Sequence, residues 1–212
     1  MRTIQRREVL LAVVLSAIAG FIDAVGFVHL GGYFVSFMSG NTTEMAAGGA
    51  LHTWKTAGKA AGLIGTFFVG VILGAVAARL GRSRMTVLWL VCALLLLAAS
   101  LGNNGADIAG MLLLCAAMGA LNSVFQRDGE VAVGLTYMTG TLVKSGQRLV
   151  DAFTGGDRTL WLRHLLLWAA LAVGGFAGAL SYHHLGLHVL WWTAGGFGLV
   201  TVITGVVRGQ YW

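Results

Sequence analysis

The strongest constraint on the fold is a series of six apolar runs, each close to the length that crosses a bilayer. They carry at most one charge each and cover residues 9–33, 60–78, 85–105, 108–126, 165–182 and 189–207. A helix needs ~20 residues, at ~1.5 Å per residue, to cross ~30 Å of hydrocarbon. Only 10% of the 212 residues are charged, whereas a typical soluble domain has about 25%. The sequence therefore predicts an all-α integral membrane protein with about six transmembrane helices.

The charged residues indicate a lipid bilayer as the main partner. The net charge is +6, but the basic residues lie at the ends of apolar runs, which is typical of membrane topology and not of a nucleic-acid surface. We expect no nucleic-acid partner. Cys92 and Cys115 lie inside apolar runs without a metal-binding spacing, so we predict buried thiols.

Three landmarks occur twice in the same order, which indicates two related halves. "GFIDAV" at 20–25 corresponds to "GALNSV" at 119–124, and "FMSGNTTE" at 37–44 corresponds to "YMTGTLVK" at 137–144. A third pair, "VGVILGA" and "VGGFAGA", contains Gly70 and Gly74 in the first copy and Gly174 and Gly178 in the second. We predict two transmembrane repeats, 1–104 and 105–212. The glycine pairs at this spacing predict close helix packing.

Each half is predicted to contain one full span, a short segment interrupted by polar residues, and two further spans. If the interrupted segments are re-entrant and the N-terminus is cytoplasmic, 12 basic residues lie inside and 2 outside; if the segments cross fully, the division is 10 to 4. The preference for basic cytoplasmic loops favours the first arrangement. It implies two inverted repeats of three spans each, with two re-entrant half-helices.

The interrupted segments, at 33–49 and 135–149, are the predicted functional site. In each, an aromatic and β-branched stretch leads into a half-helix, with Asn41 and Thr141 expected as its N-caps. A helix N-terminus at membrane depth exposes free N–H groups and is tolerated where it lines a cavity or is buried in protein. The alternative is a polar knot that locks the halves together. The predicted substrate-binding residues are Ser39, Gly40, Asn41, Thr42, Asn122, Thr139, Gly140 and Thr141.

Four charged residues are assigned further roles. Asp23 lies inside the first apolar run, where a carboxylate is costly, so it either couples transport to a proton or cation or makes a structural hydrogen bond. Glu44 is a second coupling candidate; it could also pair with Lys144, its counterpart in the other half, or cap its own helix. Lys144 and Arg148 are predicted to gate the pathway or to attract anions.

No enzyme, metal or cofactor signature stands out. His183, His184 and His188 lie close together in sequence, but Gly186 interrupts them and no thiol or carboxylate is nearby. We interpret this cluster as a polar loop. We expect no enzymatic activity and no cofactor.

The stretch "GFIDAVGF" with "MSGNT" at 38–42 and "YMTGTL" at 137–142 resembles the YoaK family of small bacterial membrane proteins. The resemblance covers most of the chain and implies a location in the cytoplasmic membrane, without implying a substrate.

Together these observations predict a small secondary transporter or permease for a small polar or anionic solute, with a homodimer as a possible assembly. A channel and a non-transporting membrane scaffold are the alternatives. A hydrated space bordered by both half-helices distinguishes the first two from the third.

Overall fold

The computed structural model describes residues 6–81, 83–127, 130–131 and 134–209. Within these residues the chain forms eight α-helices and one small hairpin, so the all-α prediction is confirmed apart from that hairpin. The helices are α1 (Arg6–Leu30), α2 (Met38–Ala50), α3 (Trp54–Gly81), α4 (Arg84–Asn103), α5 (Asp107–Leu121), α6 (Met138–Phe153), α7 (Leu160–Leu185) and α8 (Val189–Gly209). The hairpin pairs β1 (Gln126–Arg127) with β2 (Glu130–Val131) in antiparallel register.

Several helices are long and apolar enough to cross a membrane, in agreement with a multi-pass protein. Among the described residues, four segments qualify by length and composition: Glu8–Leu30, Trp54–Gly81, Arg84–Asn103 and Leu160–Val207. The last contains 48 residues and comprises α7, a 3-10 turn and α8. Helix α5 has only 15 residues, or about 22 Å at ~1.5 Å per residue. The count of six spans therefore stays a prediction.

Two glycines after α1 reverse the chain direction. Gly31 and Gly32 have φ of 70° and 103°, values that glycine adopts without the steric cost that a side chain brings. The amide of Gly32 donates to the Phe27 carbonyl at 2.9 Å, which satisfies one of the free carbonyls at the helix end. The chain can therefore turn back into the bundle toward α2.

Polar contacts define the two ends of the bundle. At the end we call the Glu8 end, Glu8 pairs with Arg84 Nη2 at 2.7 Å, and Arg84 lies over the Phe125 ring at 5.3 Å. At the opposite end, the His29 end, His29 Nδ1 lies 2.8 Å from the Tyr182 hydroxyl. These contacts place the starts of α1 and α4 at one end, and the ends of α1 and α7 at the other.

The first helix of each half packs on the third helix of the other half. In α7, Gly174 lies against the backbone of Ala17, and Gly178 against that of Phe21; in α3, Gly70 and Gly74 lie in the same way against Ala116 and Ala120 of α5. A Cβ on Gly74 would lie 2.7 Å from the Ala120 Cα, and one on Gly178 would lie 2.8 Å from the Phe21 Cα. The prediction that both glycine pairs are packing seams is confirmed.

The fourth helices of the two halves, α4 and α8, pack on each other in antiparallel orientation. Near one end Gly102 lies beside Leu187 and Leu190, and near the other Gly205 lies beside Met85. Between them, a Cβ on Gly198 would lie 3.5 Å from Cys92 Sγ. Corresponding helices of the two halves thus run in opposite directions at this contact.

The two cysteines lie in the core, as predicted. Both are free and buried, and Cys115 Sγ donates to the Leu63 carbonyl at 3.1 Å. The fully buried Leu15, Leu88 and Phe197 belong to the same apolar cluster.

Candidate functional site

Asp23 holds the segment that leads into α2. Its Oδ1 accepts hydrogen bonds from the backbone amides of Val35 at 2.9 Å and Ser36 at 2.8 Å. Asp23 lies seven residues before Leu30, the last residue of α1, which corresponds to ~10 Å of helix. The chain therefore descends about 10 Å into the bundle before α2 begins.

Helix α2 then runs back toward the His29 end, where α1 ends. It has 13 residues, or ~20 Å, and Gly48 near its C-terminus packs on Thr56 and Ala57 at the start of α3. Lys59, in the second turn of α3, donates from Nζ to the Leu30 carbonyl at 2.6 Å. Thus α1 ends and α3 begins at the His29 end, with α2 between them.

The predicted N-cap of this short helix was wrong. Helix α2 begins at Met38, three residues before Asn41, and Phe37 occupies the cap position without a side-chain hydrogen bond. Asn41 is fully buried and pairs with the backbone of Phe34: Oδ1 accepts from the amide at 3.0 Å, and Nδ2 donates to the carbonyl at 2.7 Å. The backbone amides of Val35 and Ser36, just before the helix, donate to Asp23. Asn41 therefore fixes the extended segment and does not cap the helix.

The second half uses the same plan. The prediction that Thr141 is the N-cap of its short helix is wrong, because α6 begins at Met138 and Tyr137 occupies the cap position. Thr141 lies in the first turn and donates its hydroxyl hydrogen to the Tyr137 carbonyl at 3.0 Å. The counterpart of Asp23 is Asn122, whose Oδ1 accepts from the Thr136 hydroxyl at 3.2 Å and whose Nδ2 donates to the Met118 carbonyl at 3.0 Å. An uncharged residue thus anchors this segment.

Other predicted site residues present polar groups at the surface of the chain. On α2 these are Ser39, Thr42 and Glu44, and on α6 they are Thr139, Lys144 and Arg148. The Thr42 hydroxyl donates to the Met38 carbonyl at 2.8 Å and can still accept a hydrogen bond. Arg148 pairs with Asp151 at 2.8 Å. Glu44 and Lys144 do not form an ion pair with each other.

The two glycines of the predicted site differ in their surroundings. A Cβ on Gly40 would lie 2.8 Å from the Phe34 ring, whereas a Cβ on Gly140 meets no atom within 4 Å. Gly40 therefore permits the packing of Phe34 on Phe37, whose ring centroids are 5.2 Å apart. Gly140 lies on an open surface.

The short helices pack on different neighbours. Helix α2 lies along α3, and α6 lies along α7. His29 Nε2 of α1 and Asp107 Oδ2 of α5 lie 4.0 Å apart at the same end. From that end Asp23 lies six residues along α1, ~9 Å, and Asn122 lies fifteen residues along the chain of α5, ~22 Å. The anchors of α2 and α6 are therefore at different depths, and the common chamber between the half-helices stays a prediction.

A cavity of about 300 Å³ lies at the C-terminal end of α6, away from its predicted N-terminal site. Arg148 and Asp151 line it together with the loop from Thr154 to Leu160. In this loop, hydrogen bonds from the Thr159 amide and hydroxyl lower the pKa of Asp157. Among the described residues, no group of three or more histidine, cysteine or acidic side chains is placed to hold a metal ion.

Comparison with known proteins identifies the family. The chain is 33% identical to the UPF0700 transmembrane protein of Rhizobium meliloti (strain 1021) over 198 residues, which covers 90% of this chain and 84% of that protein. No solved structure matches the chain. Residues 11–203 match the family model described as "Protein of unknown function (DUF1275)", and this match is consistent with the resemblance to the YoaK family. The chain therefore belongs to the DUF1275 family of transmembrane proteins.

Proposed function

We propose that this protein is a small secondary transporter for a small polar or anionic solute. The observation that carries the proposal is the set of exposed polar side chains on α2, which include Ser39, Thr42 and Glu44. Helix α2 begins about 10 Å inside the bundle, so Ser39 in its first turn lies near that depth, whereas Glu44 lies six residues further, ~9 Å nearer the His29 end. Polar side chains at this depth face protein or a water-filled cavity in preference to lipid. The exposed face of α2 is thus best explained as the wall of a hydrated pathway.

The proposed architecture has six spans in two inverted repeats, with α2 and α6 re-entrant from opposite ends. Three observations support it. The chain enters α2 and leaves it at the same end of the bundle, α1 packs on α7 in the same way that α5 packs on α3, and α4 runs antiparallel to its counterpart α8. This arrangement is common in transporters, where sites lie between repeats near the bilayer centre.

Basic residues orient the protein in this proposal. The Glu8 end carries Arg79, Arg84, Arg158 and Arg163, whereas the His29 end carries Lys55 and Lys59. Basic residues favour the cytoplasmic side. We therefore propose that the Glu8 end is cytoplasmic in a bacterial cytoplasmic membrane and that α6 re-enters from the cytoplasm.

In this proposal the predicted site residues have two roles. Asp23 and Asn122 hold the extended segments, Asn41 bonds to the backbone of Phe34, and Thr141 bonds to the carbonyl of the residue before α6. The solute then contacts the exposed groups, which are Ser39 and Thr42 on α2 and Thr139 on α6. It can also reach the backbone at Gly140. Lys144 and Arg148 lie toward the cytoplasmic end of α6, where positive charge attracts an anion.

Proton or cation coupling remains part of the proposal. Asp23 is the carboxylate closest to the start of α2, and its partly buried position suits a group that gains and loses a cation during a cycle. A homodimer is also proposed, because α3 leaves Gly58, Gly62 and Gly65 uncovered at a spacing that permits close approach of another helix.

A non-transporting scaffold is the second candidate. The observation that favours it is the internal use of Asn41, Asn122 and Thr141, whose side chains bond to their own half of the chain. In this case the exposed polar groups of α2 bind a partner protein and line no pathway.

Solute flux into proteoliposomes separates the two candidates. Stopped-flow light scattering would follow the entry of formate, acetate, sulfate and glycerol into vesicles with and without the protein. The test variant is Gly140→Trp, because this surface has room for the side chain, and the matched control is Gly146→Trp, another open glycine on α6. We expect flux of at least one solute that falls in Gly140→Trp and persists in Gly146→Trp. No flux above that of empty vesicles, or equal flux in both variants, would contradict this pathway.

A further inference from the structure

The cavity between the end of α6 and the start of α7 contains charges of both signs. Its volume of about 300 Å³ is at the lower end of the ~300–1,000 Å³ usual for ligand pockets. The charged side chains that line it are Arg148, Asp151 and Asp157, whereas Lys144 lies one turn earlier on α6, outside the lining. One guanidinium and two carboxylates give the lining a net charge of −1. The cavity therefore suits a ligand that carries a positive and a negative group, in preference to a simple anion.

The Arg148 guanidinium can still bind an acidic group of a ligand. Its Nη1 donates to Asp151 Oδ2 at 2.8 Å. A guanidinium has five N–H donors in a planar array that matches phosphate and carboxylate groups. The bond to Asp151 leaves most of these donors for a ligand, and the two side chains are half-exposed, so a ligand can reach them.

The two carboxylates can bind an ammonium group. Asp157 Oδ1 accepts from the Thr159 amide at 2.8 Å and from the Thr159 hydroxyl at 2.9 Å. These bonds lower the pKa of Asp157, so its carboxylate is ionised at neutral pH. A carboxylate has about four acceptor sites, and therefore both Asp151 and Asp157 retain capacity for further N–H donors.

Two glycines of the loop keep the cavity open. Gly155 and Gly156 line it and contribute no side chains. Gly155 has φ of 95°, a backbone conformation that favours glycine. The Gly156 amide donates to the Asp151 carbonyl at 2.7 Å, and a Cβ on Gly156 would lie 2.9 Å from that oxygen. The loop can therefore bring Asp157 to the same cavity as Asp151 without filling the space.

The cavity lies at the level where a membrane span begins. Leu160 lines the cavity and is the first residue of α7 and of the apolar segment Leu160–Val207. The next residue is Trp161, whose Nε1 donates to the Arg158 carbonyl at 3.0 Å. Tryptophan at a span end is typical of the boundary between lipid head groups and hydrocarbon. The charged lining is thus placed at the depth of lipid head groups.

An exposed apolar strip on α6 leads away from the cavity. Val150 lies one turn before Thr154, a cavity-lining residue, and Val143 lies two turns before Val150. These two valines share a helix face and are 62% and 53% exposed. They span ~10 Å along α6. A charged cavity beside an exposed apolar strip matches a ligand with a polar head and a hydrocarbon tail.

We propose that this cavity binds the head group of an aminophospholipid such as phosphatidylethanolamine. The lipid phosphate pairs with Arg148, and the ammonium group donates to Asp151 and Asp157. One acyl chain lies along Val143 and Val150. Phosphatidylglycerol has no ammonium group, and the quaternary ammonium of phosphatidylcholine has no N–H to donate, so both fit the lining less well. This lipid site goes beyond the proposed transport function and does not depend on it.

Native mass spectrometry of the full chain tests the proposal. The protein would be released from nanodiscs that contain equal amounts of phosphatidylethanolamine, phosphatidylcholine and phosphatidylglycerol, and the retained lipids would be counted by class. Because the charged groups are partly exposed, each contact contributes modestly, and we expect phosphatidylethanolamine to be retained about threefold to tenfold above its share.

Four variants separate the charges of the cavity. Arg148→Gln removes the phosphate partner, and Asp157→Asn removes one ammonium partner but keeps an acceptor oxygen for Thr159; both should lose the preference. The double variant Asp151→Asn with Asp157→Asn leaves Arg148 as the charged group of the lining, so it should prefer phosphatidylglycerol. Arg158→Gln is the matched control, because this exposed arginine belongs to the same loop but not to the lining, and it should retain the wild-type preference.

A wild type without a preference for phosphatidylethanolamine would overturn the proposal, as would an unchanged preference in Arg148→Gln and Asp157→Asn. If Asp157→Asn does not fold, Arg148→Gln and the double variant give the decision. Free phosphoethanolamine that competes as effectively as the lipid would assign the site to a soluble solute and contradict the lipid. The flux assay bears on the transporter alone, so a failure of that function and a failure of this site are distinguishable.

Discussion

Replacing Asp23 by asparagine and by alanine separates its charge from its hydrogen bonds. The carboxylate oxygen accepts from the amides of Val35 and Ser36 at 2.9 and 2.8 Å. Asparagine keeps an acceptor oxygen in nearly the same place, and alanine removes it. The second half already anchors its segment with an uncharged residue, Asn122, so the structure itself suggests that the asparagine variant folds.

Asp23→Ala and Asp23→Asn should lower the free energy of unfolding by different amounts. In Asp23→Ala two buried amides lose their acceptor, at ~1–3 kcal/mol each, so we expect a loss of about 2–6 kcal/mol in the free energy of unfolding. In Asp23→Asn each bond changes from charged to neutral, a difference of about 1 kcal/mol per bond, or about 2 kcal/mol in total. Removal of a charge from the bundle offsets part of that loss. The alanine variant should therefore be the less stable of the two.

Unfolding of the purified protein in mild detergent, followed by tryptophan fluorescence during titration with a denaturing detergent, measures these differences. Asn122→Ala is the matched control in the second half; it leaves the buried Thr136 hydroxyl without its acceptor and should cost about 1–3 kcal/mol. If the asparagine variant proves as unstable as the alanine variant, the anchor depends on charge, and the comparison with Asn122 is invalid. A stable asparagine variant that has lost solute flux would support cation coupling at Asp23.

Three further predictions concern other parts of the chain. Gly174→Ala should lower the free energy of unfolding by about 1–3 kcal/mol, because the new Cβ meets the Ala17 backbone. Gly175→Ala should change it little, because the nearest neighbour of its Cβ would be at 3.6 Å. Equal melting temperatures of the two variants would refute the packing seam. Cys92 and Cys115 should resist maleimide in the folded protein and react after denaturation, as mass spectrometry can show; rapid labelling of the native protein would contradict their burial. Hydrogen bonds from Thr159 lower the pKa of Asp157, so the ionised carboxylate stabilises the loop before α7 at pH values above the ordinary aspartate pKa, and this contribution is lost as the pH falls through the lowered pKa. An NMR titration should show that Thr159→Ala raises the pKa of Asp157. An unchanged pKa would exclude the hydroxyl as a cause.

The sequence predicted the long helices and their seams because both depend on local patterns. Long apolar runs require helices in a bilayer, and glycines four residues apart require a close neighbour. The partner helix of each seam could not be predicted, because glycine spacing does not reveal which helix supplies the opposing backbone. The pairing of α1 with α7 and of α3 with α5 became visible only in the structure.

The sequence located both polar segments, but the N-cap roles predicted for Asn41 and Thr141 were wrong. Asn41 followed by Glu44 has the form of a capping box, yet the helix begins three residues earlier. A structural hydrogen bond at Asp23 was one of its two predicted roles, but local patterns did not identify the backbone amides of Val35 and Ser36 as the donors. The contacts of His29 with Asp107 and Tyr182 could not be predicted for the same reason, since these residues lie 78 and 153 residues away in sequence.

The packing of α1 on α7 has a consequence for biosynthesis. Helix α1 leaves the ribosome first, but its glycine-rich partner surface around Gly174 and Gly178 is synthesised about 140 residues later, roughly 7–30 s at ~5–20 residues per second. During that interval the small residues of α1 that face α7 have no permanent neighbour. Lipid, the insertion machinery or a second nascent chain must shield them, and a chain truncated before α7 should be a target for membrane quality control.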